Sequence, residues 1–75
     1  MLAETLRHAR RKKGFSVLYL SKRSVVTQGV IEQIESGSSS YVPSEGSTAL
    51  LAEALGMPVG PLLAERDRLI ERVLH

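Results

Sequence analysis

The 75-residue chain has no cysteine and no tryptophan, and Phe15, Tyr19 and Tyr41 are its only aromatic residues. Without cysteine there is no disulfide framework and no thiolate metal site, so packing alone must hold the fold. With 43% hydrophobic residues and so few aromatics, Leu, Val, Ile and Ala have to fill the core. That mix suits a compact helical bundle better than a β-barrel. No apolar run exceeds four residues, as at 17–20, too short for a membrane span or a signal peptide. The expectation is one small, soluble, intracellular domain.

Catalytic groups are equally scarce. Asp67 is the single aspartate, His8 and His75 lie far apart, and no glycine-rich phosphate loop or metal-ligand spacing occurs. His8, close to Arg7 and Arg10, reads as a solvated helix residue, and no serine has a base near it in sequence. An enzyme is excluded on these grounds, and neither a cofactor nor a metal is called for.

One sign of charge is missing from the middle of the chain. No Lys or Arg occurs in 24–65. Residues 1–23 hold Arg7, Arg10, Arg11, Lys12, Lys13, Lys22 and Arg23 against Glu4 alone, a net of +6. Residues 24–75 hold Arg66, Arg68 and Arg72 against seven acids, a net of −4. Such asymmetry is a hint of nucleic-acid contact.

The apolar spacing predicts short helices punctuated by Gly, Ser and Pro. Leu2, Ala3, Leu6 and Ala9 share one helix face, and Gly14 stops that helix behind its basic end. Ser16 caps a second helix with Val17, Leu20 and the small Ser21 inward. Thr27 caps a third, with Val30, Ile31 and Ile34 inward and Gly37 as its stop. A loop over 37–44 precedes a fourth helix near 47–55, carrying Leu50, Leu51, Ala54 and Leu55. Pro58 and Pro61 fit the start of a last helix that continues almost to the end. The predicted fold is all-α, four or five helices, with no strand.

Residues 14–37 carry the functional signal: an eight-residue helix, a three-residue turn, and a helix capped by Thr27. Gly14-Phe15-Ser16, Leu20, Val26-Thr27, Ile31, Ile34-Glu35 and Gly37 resemble the Cro/repressor (XRE-like) helix-turn-helix family. Pro43-Ser44 and the Leu51-Ala52, Ala54-Leu55-Gly56 group are similar to its fourth helix. Thr27-Gln28 and Ile31-Glu32-Gln33 also resemble the recognition helix of the lambdoid phage repressor type. The resemblance covers about residues 2–63, so 1–63 reads as a helix-turn-helix domain with 64–75 as its C-terminal helical extension.

The resemblance implies a lambda-repressor-like fold and a small repressor-like transcriptional regulator, cytoplasmic in a prokaryote or encoded by a phage. Residues 27–36 would lie in the major groove of double-stranded DNA. On a helix starting at Thr27, Gln28, Gly29, Glu32 and Gln33 face outward. A Gln amide complements adenine N7 and N6, so Gln28 and Gln33 are the base-reading candidates. Gly29 leaves room for close approach, and Glu32 could accept from cytosine N4 while repelling phosphates. Ser16, Thr27, Ser36 and Ser38 are the backbone-contact candidates, through hydroxyls and helix N-terminal N–H groups. The resemblance further implies an ion pair between Arg10 and Glu35. The bland alternative for the outward residues is a solvated helix face.

Three positions depart from the family pattern. Val17 stands where Gln commonly touches phosphate, and Val25 where the turn usually has Gly. A positive φ is costly for a β-branched residue, so a reshaped turn is expected. The loop before the fourth helix offers Ser38, Ser39, Ser40 and Tyr41 instead of basic residues. Positive charge would have to come from Arg11, Lys12, Lys13, Lys22 and Arg23, which could equally just offset helix dipoles.

Two apolar features lie outside the DNA reading. Val17, Leu18 and Tyr19 form part of an apolar run that is either ordinary packing or a protein-contact patch. In the tail, Leu62, Leu69 and Val73 form one stripe and Leu63, Ile70 and Leu74 another. Leu62, Leu69, Ile70 and Val73 are the candidate homodimer surface; the alternative packs the tail over the first helix. A protein-interaction module with weak or no DNA binding is the competing function.

Overall fold

The computed structural model describes residues 1–38 and 41–74, with the backbone alone at 73 and 74. Five helices and no strand make up the described residues: α1 (Leu2–Lys12), α2 (Val17–Ser24), α3 (Gln28–Glu35), α4 (Glu45–Ala54) and α5 (Val59–Leu74). The all-α expectation holds, and α1, α2 and α3 run close to their predicted bounds.

Each helix end has a local cause. Glu4 in the first turn of α1 and Arg10, Arg11 and Lys12 in its last turn oppose the helix dipole. Gly14 then takes φ +73°, which lets the N–H groups of Gly14 and Phe15 close back on the Arg11 and Arg10 carbonyls. The Ser16 hydroxyl accepts from the Tyr19 N–H at 3.0 Å and starts α2; the Thr27 hydroxyl accepts from the Val30 N–H at 3.3 Å and starts α3. α4 begins two residues earlier than the spacing predicts. Ser44 caps it, accepting from the Ser47 N–H at 3.0 Å, so Glu45 already lies in the first turn. α5 opens just after Pro58, with Pro61 in its first turn, where a missing N–H costs nothing.

The core is aliphatic, as the composition requires. Leu2, Leu6, Leu20, Val26, Ile31, Ile34, Leu51, Ala52, Leu55 and Leu62 are buried together, with Phe15, Val17 and Leu69 among the residues packed against them. α1 packs on α3 and α5, α2 on α3 and α4, and α4 on α5. Leu50 points out, not in. The tail therefore does cover α1, tied there by Glu65, which accepts from the Thr5 hydroxyl at 2.8 Å and pairs with the N-terminal amine at 3.4 Å. Arg66 fixes the other side of α5 by donating to the Pro43 carbonyl at 2.8 Å. Among the described residues, no helix is long and apolar enough to cross a membrane.

Candidate nucleic-acid interface

The unit that could meet DNA is α2, its turn and α3. Ile31 and Ile34 anchor α3 in the core. At about 100° per residue, Gln28, Gly29, Glu32, Gln33 and Ser36 then share the opposite arc, and all five are exposed. No side-chain hydrogen bond among the described residues holds Gln28, Glu32 or Gln33, so their polar groups face solvent ready to pair. A Cβ at Gly29 would meet nothing within 4 Å, so packing does not require glycine there.

The turn contradicts the expectation that it would be reshaped. Val25 adopts φ +66°, ψ +10°, the left-handed conformation that glycine would take. The chain forces it there with hydrogen bonds on both sides. The Val25 N–H donates to the Ser21 carbonyl at 2.9 Å, and the Val26 N–H to the Ser24 hydroxyl at 3.2 Å. The Ser21 hydroxyl donates to the Val26 carbonyl at 2.6 Å, and the buried Ser24 hydroxyl to the Leu20 carbonyl at 2.7 Å. Val26 is thereby held in the core while Val25 stays 83% exposed. Two helices meet across a three-residue turn whose first residue, Val25, is left-handed, the first helix carrying an N-terminal cap and the second an outward polar face.

A family model described as a helix-turn-helix domain matches residues 1–69 of the chain. The chain belongs to that family. Neither the curated proteins nor the solved structures compared with the chain include a match. Membership points to DNA binding, the work of a helix-turn-helix, and away from catalysis. Among the described residues, no group of three or more His, Asp or Glu is placed to hold a metal ion.

Within the helix-turn-helix domain, α1 clamps α3. Arg10 donates from Nε to Glu35 Oε2 at 2.7 Å and from Nη2 to Oε1 at 2.8 Å, a two-pronged pair, while Nη1 reaches the Phe15 carbonyl at 2.8 Å. The two side chains are only 12% and 10% exposed. Hydrogen bonding to Glu35 raises the Arg10 guanidinium above its ordinary range, against the pull of burial, and the carboxylate's charge adds to the rise. Arg7 donates to the Glu35 carbonyl at 3.3 Å, placing a second arginine at the end of α3.

The basic residues divide by what they touch. Arg23 is a structural residue that sequence reasoning missed. It donates to the Ala54 carbonyl at 3.2 Å, capping α4, and sits 5.7 Å from the centre of the Phe15 ring. Lys13 lies beside Gly56, its amine 3.6 Å from where a Cβ would stand. These contacts span 31 and 43 positions of sequence, and no local motif announces them. Arg11, Lys12 and Lys22 are exposed, and their side chains make no hydrogen bond or ion pair among the described residues.

The other candidate positions fall in different places. Ser16 and Thr27 are exposed caps whose hydroxyls accept, which leaves their hydrogens for an outside acceptor. Ser36 is committed to its own helix end, donating to the Gln33 carbonyl at 2.7 Å and accepting from the Ser38 N–H at 3.4 Å. Residues 39 and 40 of the serine loop lie outside the described residues. Val17 is packed against the core, whereas Leu18 and Tyr19 are exposed, so the apolar run does not act as one patch. Leu62 is 1% exposed and belongs to the core, which removes it from any partner surface. Leu69 packs against that core, Ile70 is half-buried beside it, and the Val73 side chain lies outside the described residues.

Proposed function

We propose that this protein is a sequence-specific double-stranded DNA-binding regulator of the Cro/repressor (XRE-like) type, repressor-like in action. The observation that carries this reading is the outward arc of α3, where the side chains of Gln28, Glu32 and Gln33 make no internal hydrogen bond, on a helix whose other face is locked into the core. Gln28 and Gln33 read bases, through paired donor and acceptor contacts to adenine edges. Gly29 lets the helix approach closely, and Glu32 accepts from cytosine while disfavouring misplaced phosphates. Ser16 and Thr27 position the backbone from the N-termini of α2 and α3, joined by Arg11, Lys12 and Lys22, which supply the charge that α3 lacks. Ser38 contributes at the far end of α3, where the Ser36 hydroxyl is already committed to the Gln33 carbonyl.

Two copies would bind together, pairing through the second half of α5 as readers of palindromic sites do. An open groove of about 560 Å³ supports that face, with Met1, Leu2 and Leu69 along it and Arg68 and Arg72 beside Glu65 and Glu71. Both signs of charge on one helix suit a two-fold interface, in which each patch meets its own copy.

Selection of DNA sequences from a random duplex pool, followed by affinity measurements at low and high salt, tests the base-reading assignment. The Gln28→Ala/Gln33→Ala double variant should lose about 30- to 20,000-fold on the selected site, at about 1–3 kcal/mol per reader. Its weak binding to unrelated DNA should stay unchanged. Equal affinity of wild type and double variant for the selected site would remove base readout by these residues.

A further inference from the structure

The outer arc of α5 carries its charges in two stripes. Asp67 and Glu71, four residues apart, share one line along the helix; Arg68 and Arg72 share a second, about 100° round from the first. All four side chains are exposed. Within one chain they are poorly matched. Like charges at i and i+4 repel on a helix surface, and both stripes are such pairs. Arg68 and Glu71 make no hydrogen bond or ion pair among the described residues. Asp67 has Arg66 Nη1 at 2.9 Å, and Arg72 donates to the Met1 sulfur at 3.9 Å.

The stripes say what would answer them. A DNA backbone would attract Arg68 and Arg72 but be repelled by Asp67 and Glu71. A partner of one charge sign would satisfy one stripe and oppose the other. A second copy of this chain brings both stripes, two charges of each sign. Symmetry then selects how two copies lie. With the two-fold axis along the helices, α5 and its copy run parallel, and on each side of the seam a basic stripe faces an acidic one. With the axis across the helices they run antiparallel, and each stripe faces its own kind. Met1, 58% exposed, and Leu69 line the groove beside Arg68 and Arg72, so closing it also covers apolar surface.

We propose that two copies pair with their α5 helices parallel, the Arg68/Arg72 stripe of each against the Asp67/Glu71 stripe of the other, and that these four charges choose the partner. The inference rests on the pairing through α5 proposed above and adds its orientation and the residues that make it selective. The like-charge repulsion within each stripe is relieved when the opposite stripe of a copy lies alongside. A helix carrying the same charges in another order would set like against like, which favours self-pairing over pairing with other chains.

Two charge variants test the stripes by sedimentation equilibrium. Arg68→Glu/Arg72→Glu makes both stripes acidic, and Asp67→Lys/Glu71→Lys makes both basic. Each alone should dimerise at least about tenfold more weakly than wild type, with its melting temperature little changed. Mixed in equal amounts, the two should recover a mass near twice 8.2 kDa at wild-type concentrations, because acidic stripes then face basic ones. Orientation is read in the same cysteine-free chain by Ala64→Cys, an exposed position on the line between the stripes. Parallel helices bring the two cysteines together, and mild oxidation should link the dimer. Antiparallel helices centred on the stripes would hold them about 16 Å apart along the axis, too far for a disulfide. A wild-type mass of 8.2 kDa at every concentration would remove pairing itself. A dimeric wild type whose charge variants dimerise equally well, or whose variants stay monomeric when mixed, would overturn the stripes alone. A dimeric Ala64→Cys protein that forms no cross-link would overturn the parallel orientation.

Discussion

Val25 is the residue whose conformation and chemistry disagree most. A left-handed backbone costs an L-residue about 1–2 kcal/mol, and glycine would avoid that cost while giving up about 0.5–1 kcal/mol through its greater freedom when unfolded. The side chain is 83% exposed, so little burial is lost by removing it. Val25→Gly should therefore stabilise the domain by about 0.5–1 kcal/mol, a rise of about 2–8 °C in melting temperature for a chain of this size. Thermal unfolding followed by circular dichroism measures it directly. A lowered melting temperature would mean that the Val25 side chain stabilises the turn in a way its exposure does not reveal. At the same scale, the hydroxyls of Ser21 and Ser24 explain why the chain tolerates the valine: both bond to backbone within the turn and fix its path. A reading of β-branched propensity alone expected a different turn because those two bonds are invisible until the turn exists.

At the scale of helices, α1 and α3 depend on one link. Arg10 and Glu35 meet through two hydrogen bonds in a site where both side chains are mostly buried. Glu35→Ala would strand the guanidinium there with one remaining partner, the Phe15 carbonyl. Breaking half of such a pair costs about 3–5 kcal/mol, against about 4–11 kcal/mol of total stability for a chain of this length. The variant should melt far below wild type, while Arg10→Met/Glu35→Leu should recover most of the loss because no charge is left buried. A Glu35→Ala melting curve that overlays wild type would show the pair to be incidental. Alkaline buffers would not expose it from the arginine side. The Arg10 pKa is raised on folding, so its contribution is complete below the ordinary arginine range and fades only above it. The caps at Ser16 and Thr27 and the glycine stops could be read from the sequence because each acts within three or four residues. Which stripe of α5 is buried could not be read, since Leu62 and Leu63 are adjacent and only the position of α4 selects Leu62. The reach of Arg23 to Ala54 was hidden for the same reason.

Across the whole molecule, the positive charge is spent unevenly. Of the seven basic residues in 1–23, Arg7, Arg10 and Arg23 serve the fold through hydrogen bonds, and Lys13 lies against the turn before α5. That leaves Arg11, Lys12 and Lys22 for phosphate. Affinity for duplex DNA rises with each phosphate neutralised, so three cations and the two proposed amide readers of an eight-residue helix would make a weak monomeric binder. The proposed pairing would double both sets and fix the spacing of two half-sites at about one helical turn, about 34–36 Å. Sedimentation equilibrium should accordingly show a mass that rises with concentration from 8.2 kDa towards twice that value. Arg68→Glu/Arg72→Glu, which reverses two exposed charges beside the α5 groove, should hold the protein at the monomer mass with its melting temperature little changed. The same variant should bind a palindromic site no better than a single half-site. A wild-type mass of 8.2 kDa at every concentration, both free and with palindromic DNA, would refute pairing. A charge-reversed variant that still dimerises would place the interface away from this face of α5.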